Sequence, residues 1–367
     1  MKCTVTQENL TQALSVVSRI ASKSTNLPIL SNVLFRARKS GITLLATNLE
    51  IGITHRVRGR VEGEGVFTLP AKIFSDYISL LEQEKVALAQ EGEDIRITTE
   101  SSETVLRGLA ADEFPLIPDV DRSKGFACSA DDLKNGIAQV LFAAAYDDAR
   151  PEISGVYLQF SKKELILAAT DSYRLAERKV VLQDGGDEPA AVIVPARALQ
   201  ELLRILSQPG DRVQVFVTQN QILFVYEETE LVSRLIDGQY PDYQQIIPKQ
   251  HATALRAKSS ELLRAVRATS LFGRPGINDL HMMLQPKEQR LLLKASNTQV
   301  GENTQSLHVA IEGDENSIVF NSKYLLDGIA NIGSQEVIFE MTNNASPGVL
   351  RPTESGAYLY IIMPIKQ

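Results

Sequence analysis

Cysteine is nearly absent from this sequence. Cys3 and Cys128 are the only two in 367 residues, too few for a disulfide framework and not spaced as metal ligands. Histidine is almost as scarce: His55, His251, His281 and His308 are scattered and share no metal-ligand spacing. No stretch approaches the ~18 consecutive apolar residues of a membrane span. The first ten residues, MKCTVTQENL, contain no apolar core of a signal peptide. The expectation is a cytoplasmic protein with no metal, no cofactor and no membrane partner. Common catalytic signatures are missing as well, with no GxSxG, HExxH, GxGxxG or P-loop. Asp147 and Asp148 form an acidic pair, but adjacent carboxylates in a polar loop are ordinarily solvated. Asp171 sits in a turn, where Asp has a local structural role. No catalytic residue is assigned.

What is present is ordinary globular material, with 44% hydrophobic and 23% charged residues. The length suits two or three domains. The net charge of −7 argues against nucleic-acid binding only on average, because net charge does not say where the charges sit.

The organisation comes from internal repetition. FTLPAKIFSDYISLL (from Phe67), VIVPARALQELLRIL (from Val192) and IVFNSKYLLDGIANI (from Ile318) each read as a β-type run, a basic residue and a helix. The basic residues Lys72, Arg197 and Lys323 recur after 125 and 126 residues. GITLLATNLEIGITHRV, ELILAATDSYRLAERKV and RLLLKASNTQVGENTQSL read as three hairpins. Their turn residues Asn48, Asp171 and Asn297 are 123 and 126 apart. DEFPLIPDV and GQYPDYQQIIP align at Pro115 and Pro241. An amphipathic helix lies near each copy's start, with Asn9, Asp131 and Ser259 as expected N-caps. The spacing predicts three homologous α+β domains, at 1–122, 123–249 and 250–367. It also makes AYLYIIMPI, near the chain end, the last strand of the third domain.

Each predicted helix has one apolar stripe and one wet face. Leu199, Leu202, Leu203 and Leu206 form one stripe; Leu10, Ala13, Leu14 and Val17 another; Leu262, Leu263, Val266 and Thr269 a third. The wet faces carry Arg19, Lys72, Lys134, Arg197, Arg204, Arg264, Arg267 and Lys323. For one helix this is an ordinary solvated face. Repeated across six, it becomes a cationic surface suited to phosphate, with no side chains arranged for base readout.

The sequence resembles the bacterial DNA polymerase III beta subunit family, the sliding clamps, along its whole length. The residues that carry the resemblance are LPILSNVL (Leu27 to Leu34), ATNLE (Ala46 to Glu50), ADEFP (Ala111 to Pro115), ATDSYRLA (Ala169 to Ala176), LIDGQYPDY (Leu235 to Tyr243) and YIIMPI (Tyr360 to Ile365). The resemblance implies a head-to-tail homodimeric ring, with helices on the inner face and antiparallel sheets outside. Such a ring encircles double-stranded DNA, is opened by a clamp loader and has no catalytic activity. It tethers the DNA polymerase III alpha subunit and other polymerases through short linear motifs.

It further implies a peptide groove built from Ile153, Thr170, Tyr173, Arg174, Leu175, Pro241, Ile246, Ile361, Ile362, Met363 and Pro364. Lys23 and Arg150 join the DNA-binding cations, and Leu106 meets Leu271 and Phe272 across the dimer interface. The sequence departs from the family's pattern at Ser172, Tyr173 and Gln245, near the groove, at Pro151 and Glu152 in a DNA-facing loop, and at Ser24. Two other readings fit a threefold repeat: a three-domain enzyme with a cleft between repeats, and a three-repeat protein-interaction scaffold that does not act on DNA.

Overall fold

The computed structural model describes residues 1–21, 27–123, 125–146, 149–186, 188–354 and 356–366. One order of elements is traversed three times. The first pass is β1 (Lys2–Thr6), α1 (Gln7–Val17), β2 (Asn32–Arg38), β3 (Gly41–Thr47), β4 (Ile51–Val57), β5 (Gly59–Gly63), β6 (Gly65–Pro70), α2 (Ala71–Leu80), β7 (Lys85–Glu91), β8 (Asp94–Thr98) and β9 (Glu103–Arg107). The second is β10 (Gly125–Ser129), α3 (Ala130–Leu141), β11 (Gly155–Phe160), β12 (Glu164–Thr170), β13 (Arg174–Asp184), β14 (Ala190–Pro195), α4 (Ala196–Ile205), β15 (Arg212–Val217), β16 (Gln221–Tyr226) and β17 (Thr229–Arg234). Here the long β13 stands in for two strands. The third is β18 (Thr253–Lys258), α5 (Ser259–Ser270), β19 (Asp279–Gln285), β20 (Arg290–Asn297), β21 (Gly301–His308), β22 (Ala310–Gly313), β23 (Asn316–Asn321), α6 (Ser322–Ala330), β24 (Glu336–Met341), β25 (Gly348–Pro352) and β26 (Tyr358–Ile362).

The chain forms two compact units. Residues 1–130 with 201–235 make the first, and residues 131–200 with 236–367 the second. The first unit holds a five-stranded antiparallel sheet, β5-β1-β7-β8-β9. It also holds an eight-stranded antiparallel sheet, β6-β2-β3-β4-β17-β16-β15-β10. That sheet joins the first repeat to the second through β4 and β17, where Thr229 faces His55 and Ser233 faces Ile51. The second unit repeats the device. Its nine-stranded antiparallel sheet runs β14-β11-β12-β13-β26-β25-β24-β18-β22. Its four-stranded sheet runs β21-β20-β19-β23. A continuous sheet lends every main-chain group at the join a partner, so neither repeat exposes an open edge there.

The terminal strand behaves as its sequence predicts. All five residues of β26 are buried, and it is hydrogen-bonded between β13 and β25. Each large side chain buried there contributes about 1.5–3 kcal/mol relative to exposure. The helix stripes hold in the main: Leu10, Ala13, Leu14 and Val17 are buried in α1, Leu199, Leu202 and Leu206 around α4, and Leu262, Val266 and Thr269 in α5, whereas Leu203 and Leu263, at the stripe edges, are only half-buried. The helix starts differ from the expected caps. α1 begins at Gln7, and its cap is Thr6, whose hydroxyl accepts from Asn9 N at 3.3 Å. α5 begins at Ser259 with Lys258 before it, and α3 begins at Ala130, ahead of Asp131. In each case a strand runs straight into the helix, so the last strand residue occupies the capping position.

The hairpin turns repeat in atomic detail. Thr47 Oγ1 donates to Ile51 O and accepts from Leu49 N, while Asn48 Oδ1 accepts from Glu50 N and Ile51 N. In the second copy Thr170 Oγ1 donates to Arg174 O and accepts from Ser172 N, and Asp171 Oδ1 accepts from Tyr173 N and Arg174 N. Leu49 and Ser172 share the left-handed backbone, with φ of 76° and 78°. Asn and Asp hold such turns by accepting from the main chain two and three residues on.

Candidate functional site

The second unit carries an open pocket of about 510 Å3, lined by Ser172, Tyr173, Ile277, Asn321, Tyr324 and residues 363–366. Three local features place these side chains. The Asp171 turn presents Tyr173, which is 63% exposed. The chain after β26 is fixed by Met363 N donating to Tyr173 O at 2.9 Å and Ile365 N donating to Val319 O at 2.8 Å. Helix α6 is seated by Tyr360, whose hydroxyl donates to Tyr324 O at 2.8 Å. Gly328 allows that fit, because a Cβ there would lie 2.3 Å from the Tyr360 ring.

Beneath the pocket Arg174 is fully committed. It pairs with Asp171 and Asp327, donates to Phe142 O, and lies 4.7 Å from the Tyr324 ring centre and 5.5 Å from that of Phe142. Tyr173 and Tyr324 stack above it, with centroids 6.5 Å apart. The result is an apolar and aromatic surface with a cationic underside, which suits the apolar or aromatic anchors of a short peptide.

The expected groove residues therefore divide. Tyr173, Met363 and Pro364 line the open pocket. Ile153, Leu175 and Ile361 are buried in a neighbouring core with Tyr240 and Tyr243, and Ile362 and Thr170 are also buried. Pro241 is half-buried, and Ile246 is 42% exposed. In that core Tyr243 Oη donates to Glu177 Oε2 at 2.6 Å, and burial raises both the Tyr240 and the Tyr243 phenol above the ordinary range. Sequence reasoning assigned no groove role to Asn321, Tyr324, Ile277 and Ile365. The signal for two of them was the NSKYLL stretch, Asn321 to Leu326, read for Lys323 alone.

The expected cations also divide. Arg19, Arg197, Arg264, Arg267 and Lys323 are exposed, and no ion pair involves them among the described residues. Lys134 is half-buried. Lys72 pairs with Asp76 at 2.7 Å. Arg204 is held by Glu201 and by the main-chain oxygens of Ser15 and Val16. Arg150 Nη1 donates to Ser172 Oγ at 2.8 Å and pairs with Glu152. Lys23, with Ser24, Asp147, Asp148 and Gln367, lies outside the described residues. Of the expected dimer contacts, Leu271 is 72% exposed, while Leu106 and Phe272 are half-buried. The loop after Phe272 is pinned by Arg274 and Asp279, 2.7 Å apart. Burial works to raise the Asp279 carboxyl, but Arg274 outweighs it and holds it below the usual range.

Among the described residues no cluster of three or more His, Cys, Asp or Glu could hold a metal ion, and no helix is long and apolar enough to cross a membrane. Burial pushes the Cys3 thiol up to about 12, far from the reactive thiolate range.

Comparison with known proteins gives one answer along the whole chain. Models of the N-terminal, central and C-terminal domains of the DNA polymerase III beta subunit match residues 1–118, 127–242 and 244–366. The beta sliding clamp of Synechococcus elongatus is 32% identical over 374 residues, and that of Staphylococcus epidermidis 32% over 376, each covering 100% of this chain and 99% of the relative. The crystal structure of the Bacillus subtilis DNA polymerase sliding clamp superposes with a TM-score of 0.95 at 28% identity, over 100% of this chain and 99% of that one. A Pseudomonas aeruginosa DnaN sliding clamp, solved bound to griselimycin, gives 0.94 at 27%, covering 100% of both chains. Three α+β domains joined by antiparallel sheets define the clamp class of fold. Within that class, the chain belongs to the DNA polymerase III beta subunit family, the beta sliding clamps.

Proposed function

We propose that this chain is the processivity clamp of a replicative DNA polymerase. The observation that carries this reading is the full-length match to all three clamp domains, with the second and third repeats joined through β13 and β26 beside an open, partly apolar pocket. Its domains are 1–122, 123–249 and 250–367. Two copies associate head to tail, Leu106 of one meeting Leu271 and Phe272 of the other, to close a ring around duplex DNA. Arg19, Lys23, Lys134, Arg197, Arg264, Arg267 and Lys323 face the phosphates, giving sequence-independent attraction that weakens with salt. Lys72, Arg150 and Arg204 contribute after leaving their present partners. The clamp performs no chemical step and works in the cytoplasm, where an ATP-driven clamp loader opens it.

The Tyr173–Tyr324–Met363 pocket takes the apolar end of a short linear motif on the polymerase, and the adjoining Leu175–Pro241–Ile246 region takes the rest. Tethering turns each polymerase dissociation into a local event at high effective concentration. The test is primer extension on a long single-stranded template, with the polymerase and clamp loader of the same organism. Adding the chain lengthens products from a single binding event many-fold. Unchanged product length would refute the reading.

A further inference from the structure

Four arginines crowd one end of the eight-stranded sheet, with a single acid, Glu228, among the residues around them. Residues two apart on a strand share a face. Arg36 and Arg38 lie on β2, and Arg56 and Arg58 lie at the end of β4 and just beyond it. Between them runs β3, where Arg36 faces Thr43, Thr43 faces Arg56, and Arg38 faces Gly41. Two rows of arginine thus flank a floor of small residues, about 10 Å apart at two strand spacings. This face is the one turned away from α1: His55 and Val57 are buried, while Arg56 and Arg58 are exposed. Further along it, Leu34 and Leu45 are covered by Phe114 and Ala111. The arginine end stays open, as a cavity of about 600 Å3.

The four arginines take part in no ion pair among the described residues, whereas Arg122, Arg174, Arg204 and Arg274 all do. Arg36 Nε is buried and donates to nothing. Burial, with Arg38 beside it, holds the Arg36 guanidinium below its ordinary value. Glu228 is the one carboxylate in the lining; nearby Glu230 is occupied by Arg122. Such like-charge crowding is unfavourable until an anion arrives.

The lining contains no aromatic ring or amide side chain, so it offers no platform for a nucleobase. Guanidinium forks match phosphoryl oxygens, and the volume suits a small ligand. A single phosphate, at about −2 charge, would leave part of the surplus unmet. We propose that this trough binds a compact polyphosphate anion, a pyrophosphate group held between the Arg36–Arg38 and Arg56–Arg58 rows. Its lining shares no residue with the peptide pocket or with the helix cations.

The test is isothermal titration of the full chain with inorganic pyrophosphate, in metal-free buffer at fixed ionic strength. Arg38→Gln with Arg58→Gln alters exposed residues only and is expected to weaken binding about tenfold or more. Arg264→Gln with Arg267→Gln is expected to leave it unchanged. Titration with tripolyphosphate and with dTTP separates the sources: equal affinity of the two means the phosphate chain alone is read, and dTTP binding about tenfold tighter than tripolyphosphate overturns the proposal in favour of a nucleotide ligand. The proposal is overturned by absent pyrophosphate binding, by undiminished binding in the Arg38/Arg58 variant, or by equal loss in the Arg264/Arg267 variant. It is also overturned if oligothymidylate displaces pyrophosphate at lower phosphate concentration, since the trough would then be reading a nucleic-acid strand.

Discussion

Arg174 donates from Nη1 to the carboxylate of Asp327, a residue 153 positions further along the chain. The pair ties the second repeat's hairpin turn to α6 of the third, directly beneath the Tyr173–Tyr324 stack. Removing the guanidinium would leave Asp171 and the Phe142 carbonyl short of a donor. Because Asp327 is about half exposed, the loss should fall below that of a wholly buried pair. Arg174→Ala is expected to lower stability by about 2–3 kcal/mol in denaturant unfolding and also to abolish peptide binding. Arg174→Lys should recover less than half of both, since it cannot reproduce the planar fork.

The pocket itself can be emptied without touching the core. Met363→Ala removes an adaptable side chain from the pocket and should weaken binding of a polymerase motif peptide by tenfold or more, with stability changed by no more than about 0.5 kcal/mol. Deleting residues 363–367 leaves β26 whole and should weaken binding at least as much, at the further stability cost of losing the Met363 and Ile365 main-chain hydrogen bonds. Fluorescence anisotropy with a labelled peptide checks both, and unchanged affinity would remove the pocket from the account.

His55 gives the join between β4 and β17 a pH dependence. It is buried, and its Nδ1 lies 2.8 Å from Thr229 Oγ1. Burial lowers its pKa, opposed by Glu228. With the folded value below the ordinary imidazole value of about 6.5, the unfolded chain binds more protons just below that pH. The stabilisation is complete above about 6.5 and is lost as pH falls towards the folded value. His55→Gln should flatten this part of the profile, read as the difference in urea midpoints between pH 5.5 and 8. Parallel profiles for the two proteins would contradict it.

Much of this arrangement was legible in the sequence, because repetition survives without contacts. The spacing of Lys72, Arg197 and Lys323 exposed the three copies. The apolar run at Tyr358–Ile362 marked a buried strand, and Asn48 and Asp171 marked two turns that proved the same in their hydrogen bonds. What was hidden depends on partners far apart in the chain. Arg204 looked like a free cation but spends its donors on Ser15 and Val16, 189 and 188 residues away. Tyr324 reads as an ordinary helix residue until Tyr173 stacks on it. Arg36, Arg38, Arg56 and Arg58 become one feature only when β3 is seen to run between them.

The proposed dimer contact rests on Leu271, an exposed leucine beside a loop pinned by Arg274 and Asp279. A charge placed there would be buried without a partner on association. Leu271→Asp is expected to convert dimer to monomer in sedimentation at micromolar concentration while leaving thermal unfolding of the subunit nearly unchanged. An intact dimer would place the interface elsewhere.

The most direct test of the central claim is topological. The protein is loaded by its clamp loader on nicked circular DNA, the complex is isolated, and the circle is cut once with a restriction enzyme. The account predicts stable retention on the circle, even at raised salt, and rapid loss from the linear product as the ring slides off its ends. Equal retention on both forms would show a surface binder and contradict it.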